Sequence, residues 1–113
     1  DLELAFREIA RVLRPGGRLV ATCPLAFGQL EGIEKVRLNP STGEPELLGE
    51  QEFHSDPVRP HSGSLVYRIP GWELLEQLRA AGFADARMHH ITSWKHGVLG
   101  SDLPGVLVIE AER

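Results

Sequence analysis

The run Glu8-Ile9-Ala10-Arg11-Val12-Leu13-Arg14-Pro15-Gly16-Gly17-Arg18-Leu19-Val20-Ala21-Thr22-Cys23-Pro24 constrains this chain more than any other. It joins the end of an amphipathic segment to a short apolar one across a Pro-Gly-Gly break. From Leu2 to Leu13 apolar residues fall at 2, 5, 6, 9, 10, 12 and 13, the repeat of a helix with one buried face. Glu3, Arg7, Glu8, Arg11 and Arg14 take the other side, with Glu3 and Arg7 spaced for a weak pair. Arg11 and Arg14 lie in the last turn, where positive charge complements the helix dipole. Pro15 forbids further helix and Gly16-Gly17 permits a tight exit. Leu19, Val20, Ala21 and Cys23 then read as a strand buried on both faces, with Cys23 a small core residue. The glycines follow a helix and precede a strand. A phosphate-cradling loop has the reverse order, so this is a structural joint and not a nucleotide loop.

The remaining elements support an α/β class. Pro70-Gly71-Trp72-Glu73-Leu74-Leu75-Glu76-Gln77-Leu78-Arg79-Ala80-Ala81-Gly82-Phe83 predicts a second helix that starts near Pro70 and stops at Gly82. Trp72 is a core anchor in this reading, and Phe83 folds back on the last turn. Residues 85–93 predict a strand in which His89 and His90 point to opposite faces, so they cannot jointly hold one ion. Residues 105–112 predict the final, strongly apolar strand.

Between these elements the texture changes. Residues 24–69 carry five of the chain's eight prolines, and glycines stand at 28, 32, 43, 49 and 63. Ile33 to Leu38 alternates apolar and polar, Asn39-Pro40-Ser41-Thr42-Gly43-Glu44 is a turn signature, and Pro45 to Leu48 returns, which predicts one small hairpin. Residues 52–68 are the most chemically loaded stretch. Histidine is suited to acid-base work near neutral pH, and His54 and His61, with Asp56, are the candidate catalytic groups. Arg59 and Tyr67 are the candidate substrate-binding groups. His54, Asp56 and His61 could also hold a metal, but their spacing matches no established ligand pattern, and no metal is expected. The alternative for the same residues is a turn organised by Asp56 with surface histidines.

Composition excludes some partners. The net charge of -4 gives no basic surface for nucleic acid. No apolar run approaches the ~18 residues of a membrane span. A single cysteine rules out an internal disulfide and suits the reducing cytoplasm.

The joint sequence Glu8 to Val20 resembles a segment of class I S-adenosylmethionine-dependent methyltransferases, in which a helix ending R-V-L-(K/R)-P-G-G leads into the fifth strand. Leu74-Leu75-Glu76-Gln77-Leu78-Arg79-Ala80-Ala81-Gly82-Phe83 resembles the helix before the sixth strand. Phe53-His54-Ser55-Asp56-Pro57-Val58, with Gly63 to Arg68 and Gly71-Trp72, is similar to a subgroup of predicted methyltransferases. The resemblance implies a partial Rossmann-like methyltransferase sheet with equivalents of strands 5, 6 and 7, the last antiparallel. Residues 18–23 would pair with 105–112, and those with 85–93. Residues 1–113 would be the C-terminal portion of the domain, 28–66 its substrate-side insertion. The chain lacks an initiator Met and a strand followed by a G-x-G run, so the expectation is a piece of a longer protein whose cofactor-binding half is absent. The function implied is methyl transfer from S-adenosylmethionine to an unidentified acceptor, with no cofactor-binding residue assigned here. The alternative is a non-enzymatic interaction or dimerisation module. The unpaired edge of strand 18–23 implies a homodimer or swapped assembly.

Overall fold

The computed structural model describes residues 2–55, 58, 63–100 and 104–113. In chain order the elements are α1 (Leu2–Val12), β1 (Arg18–Ala21), β2 (Ile33–Glu34), β3 (Val36–Leu38), β4 (Pro45–Leu47), β5 (Phe53–His54), β6 (Ser64–Leu65), β7 (Arg68–Ile69), α2 (Leu74–Ala80), β8 (Asp85–Ile91) and β9 (Val106–Glu112). They divide into two compact units. Unit 1 comprises the chain up to Cys23 together with Glu73–Arg113, and unit 2 is Pro24–Trp72.

Unit 1 is a three-stranded sheet in the order β1-β9-β8 with helices on one face. α1 forms where the apolar spacing places it, and it buries Phe6 and Ala10. The break after it works through backbone bonds. Gly16 sits at φ +74, a conformation that suits a residue without Cβ, and its N–H donates to Arg113 O at 2.7 Å. The Arg113 guanidinium in turn donates to the carbonyls of Arg11 and Leu13, which satisfies acceptors that the end of α1 leaves open. α2 buries Leu74 and Leu78, and Phe83 folds back after Gly82 by donating its N–H to Leu78 O. Arg79 ties this helix to β8 through Ala86 O at 2.6 Å. On the sheet, Ala86, Ile109 and Ala111 are buried. Neighbouring positions Arg18, Glu110, Glu112, Arg87 and His89 lie on the opposite face, as strand alternation requires.

Both expected pairings are present. β9 runs antiparallel to β1, with Leu19 opposite Ala111, and antiparallel to β8, with Met88 opposite Ile109. The expected partial Rossmann-like sheet, however, is corrected. Among the described residues every strand pair is antiparallel, and the other three sheets have two strands each. The physical reason is local: β1 and β8 run in the same direction, but β9 lies reversed between them and takes the ladder of both, so no parallel neighbours meet.

Unit 2 is built from short ladders. The predicted turn forms: Asn39 Oδ1 accepts from the N–H groups of Ser41 at 2.9 Å and Thr42 at 3.2 Å, and Gly43 adopts φ +71. It joins β3 to β4, with Val36 opposite Leu47. The single expected hairpin is nevertheless corrected to three ladders. Ile33–Glu34 pairs with Arg68–Ile69, and Phe53–His54 pairs with Ser64–Leu65. Pro70-Gly71-Trp72 does not open α2. Its backbone serves unit 2, where Pro70 O accepts from Ala26 N at 2.8 Å and Trp72 N donates to Gln29 O at 3.3 Å. Trp72 is half-buried and its indole N–H donates to Phe27 O at 2.7 Å.

Candidate functional site

Two of the five residues singled out from the sequence fall within the described structure. His54 ends β5 opposite Ser64, and it is exposed. Its Nδ1 lies 3.5 Å from Ser55 O, at the limit of a hydrogen bond. Tyr67, also exposed, sits between β6 and β7. Its carbonyl accepts from Lys35 N at 2.8 Å and Val36 N at 3.1 Å, so the backbone is fixed while the phenol faces outward. Asp56, Arg59 and His61 lie outside the described residues. The catalytic trio His54, Asp56 and His61 is therefore represented by His54, and the pair Arg59 and Tyr67 by Tyr67. The ion pair of Lys35 with Glu52 at 3.1 Å lies on the same unit. Among the described residues no group of three or more His, Cys, Asp or Glu side chains is placed to hold a metal ion.

Unit 1 carries a charge cluster that sequence reading missed. On the face of the sheet away from the helices, Arg18 of β1 donates to Glu110 of β9 at 2.9 Å and pairs with Glu112 at 3.3 Å. His89 of β8 donates from Nε2 to the other oxygen of Glu110 at 2.8 Å. Glu110 thus bridges all three strands, with Arg18 at one side and His89 at the other. His90, on the other face, donates from Nε2 to Pro104 O. The split between the two histidines is the one alternation predicts. The Glu110 cluster needed the strand register to be seen, because Arg18 and Glu110 are 92 residues apart. The one signal in the sequence is the fall of Arg18, Arg87, His89, Glu110 and Glu112 on alternate strand positions.

A groove of about 280 Å³ lies between α1 and α2, lined by Glu3, Arg7, Glu73, Glu76, Gln77, Ala80 and Ala81. The Gln77 amide oxygen is buried beside it without a hydrogen-bond partner. Glu3 and Arg7 pair across 4.0 Å on α1, and Glu76 with Arg79 at 2.6 Å on α2, so most of the rim is neutralised in pairs.

Cys23 departs from expectation. β1 ends at Ala21, and Cys23 is exposed beyond it instead of filling a core. Desolvation around the sulfur still pushes its thiol up, which disfavours the thiolate a nucleophile requires.

The glycine joint gives no cradle for a cofactor. Gly16 N–H is bonded to Arg113 O, and Gly17 N–H to Arg14 O at 2.8 Å, so neither is directed at a ligand. Among the described residues no helix is long and apolar enough to cross a membrane. No known family model, no curated protein and no solved structure matches the chain.

Proposed function

We propose that this chain is the acceptor-side portion of an S-adenosylmethionine-dependent methyltransferase, active as part of a longer cytoplasmic enzyme. The observation that supports it is the neighbour order β1-β9-β8, with β9 reversed in the middle. That order is what the resemblance of residues 8–20 and 74–83 implies for the segments that follow them. The cofactor, when bound, would supply a methyl group on a sulfonium. The residues of this chain do not fit a glycine-turn cradle for it, because the amides of Gly16 and Gly17 are already bonded. Their part is to hold the acceptor. His54 is the candidate general base, with Asp56 and His61 near it in sequence, and Arg59 and Tyr67 are the candidate binding groups. Orienting an acceptor for in-line attack is the main contribution such a surface makes.

The test is calorimetric titration with S-adenosylmethionine. The 113-residue chain alone is expected to give no heat of binding. A natural protein containing this chain is expected to bind the cofactor, and His54→Ala in it should lower turnover without weakening cofactor affinity. A containing protein that fails to bind S-adenosylmethionine would sink the proposal.

A second reading is an interaction or dimerisation module without catalysis. The observation favouring it is that, among the described residues, β1 has a strand partner on one side only. A homodimer or swapped assembly belongs to this reading.

A further inference from the structure

Lys35 reaches all three ladders of unit 2, each with a different group. It lies between β2 and β3, where the chain leaves β7 as its partner and takes up β4. Its N–H donates to Tyr67 O at 2.8 Å, an acceptor that the Val36 N–H shares at 3.1 Å. Its C=O accepts from Leu48 N at 3.0 Å, just past β4. Its ammonium pairs with the Glu52 carboxylate at 3.1 Å, just ahead of β5. The Glu52 C=O in turn accepts from Val66 N at 2.8 Å, which extends the β5–β6 ladder by one bond.

Two of these links are made by backbone and survive any substitution of the side chain. The third is made by the side chain, and it is the one that reaches the ladder carrying His54. That ladder has little packing to hold it. Phe53 is 57% exposed, Ser64 is exposed and Leu65 is half-buried, and a ribbon so short is marginal in water. Within it the strands lie close, since a Cβ on Gly63 would come 2.7 Å from His54 O and 2.9 Å from Phe53 Cβ. A contact at Glu52 is therefore passed to His54, two residues on. The Lys35 side chain is 25% exposed against 59% for Arg37, so water screens its ion pair less than that of Arg37 with Glu34.

We infer that Lys35 and Glu52 form a positioning pair, which sets the β5–β6 ladder and His54 against the point where Lys35 holds the Tyr67 carbonyl. The two candidate residues of unit 2 are thereby fixed from one side chain and its own backbone. This deepens the acceptor-side reading, and the use made of His54 rests on that reading. The pairing itself does not.

NMR measurement of amide solvent exchange on the 113-residue chain tests it. Lys35→Met keeps the stem and both backbone bonds while removing the charge, and Glu52→Gln removes the partner charge. Each is expected to speed exchange of the Val66 amide by about threefold to fivefold, the range of a partly exposed ion pair. The Leu48 and Gly43 amides, bonded to Lys35 O and Asn39 O, should keep their rates. The ring signals of His54 should move in the same two variants. Lys35→Glu combined with Glu52→Lys should restore both Val66 and His54. In the wild-type chain, salt near ~1 M should speed Val66 exchange as the single variants do, because it screens the pair. A Val66 amide indifferent to both single variants overturns the inference. So does an equal response at Leu48, a charge swap that restores nothing, or a wild-type rate unmoved by salt. None of these readings uses S-adenosylmethionine, so the positioning pair and the methyl-transfer proposal fail separately.

Discussion

Unit 1 and unit 2 use the same kind of antiparallel ladder and hold it in different ways. Unit 1 buries Phe6, Ala10, Leu74, Leu78, Phe83, Ala86, Ile109 and Ala111, from two helices and the sheet. Unit 2 buries Val36 and the Pro70-Gly71 pair, while Phe27, Leu30, Leu38, Leu47, Leu48, Phe53 and Tyr67 stay exposed. Its order comes from individual polar contacts: the Asn39 turn, the Tyr67 carbonyl, the Trp72 indole and the Glu34–Arg37 pair at 2.6 Å. Apolar burial is the larger reservoir of stability, since a two-stranded ribbon is marginal in water. The difference teaches that the sheet of unit 1 is the scaffold, and that the candidate residues His54 and Tyr67 stand on the less deeply held part. Functional surfaces are commonly carried that way.

The strongest way to break this comparison is Leu78→Ala. Leu78 is fully buried, and its truncation is expected to cost about 3 kcal/mol by chemical denaturation. Amides of β8 and β9 should lose hydrogen-exchange protection, while those of β3 and β4, exchanging early in the wild type, should change little. Equal loss in both would show that the units unfold together. Gly105→Ala is next. Gly105 has φ +97, and a Cβ there would press on Ile91 O and Thr92 at the return into β9. A shift of the urea midpoint equivalent to about 2 kcal/mol is expected.

Gln77→Leu should act in the opposite direction. It removes a buried oxygen that has no hydrogen-bond partner with little change in helix propensity, so a gain of about 1 kcal/mol is expected in thermal or urea unfolding. A loss of stability would mean that the amide oxygen is satisfied in solution.

The smallest effect sharpens the view of unit 2. The hydrogen bond from Arg37 holds the Glu34 carboxyl below the ordinary glutamate range, against a weaker opposing push from desolvation. Glu34 therefore binds its proton less readily folded than unfolded. Its contribution is fully present above the unfolded value of about 4.3 and is lost as pH falls through the lower, folded one. A carboxyl carbon NMR titration checks this, with Arg37→Ala expected to return Glu34 to the ordinary range.

Much of unit 1 could be read from sequence because its elements are long enough to have a period. Leu2 to Leu13 repeats as a helix, and Val106 to Glu112 is a strand by its apolar run. The neighbours of those strands came from family resemblance, since no local pattern specifies which strand pairs with which. Elements of two residues carry no period at all, which is why Ile33–Glu34 pairing with Arg68–Ile69 was not foreseen. Pro70-Gly71-Trp72 carries a helix-start signal that tertiary bonds to Ala26 and Gln29 override. Cys23 looked like core because the apolar run continues through Ala21, where the strand in fact stops. Of the candidate site, residue types were legible and their arrangement was not. Asp56, Arg59 and His61 lie outside the described residues, and the Arg18–Glu110–His89 cluster exists only by virtue of register.

The bonds that close unit 1 join its first strand to its last, with Arg113 reaching Leu13 across 100 residues. Such a ring has an order of assembly built into it. During synthesis α1 and β1 emerge before β9 and must wait for it before the central ladder can form. The entropy of closing so long a loop grows only slowly with its length, so the waiting costs time more than stability. In the interval the turn at Asn39 needs no distant partner and can form at once. The turn between β3 and β4 is therefore able to take shape before the sheet of unit 1 closes.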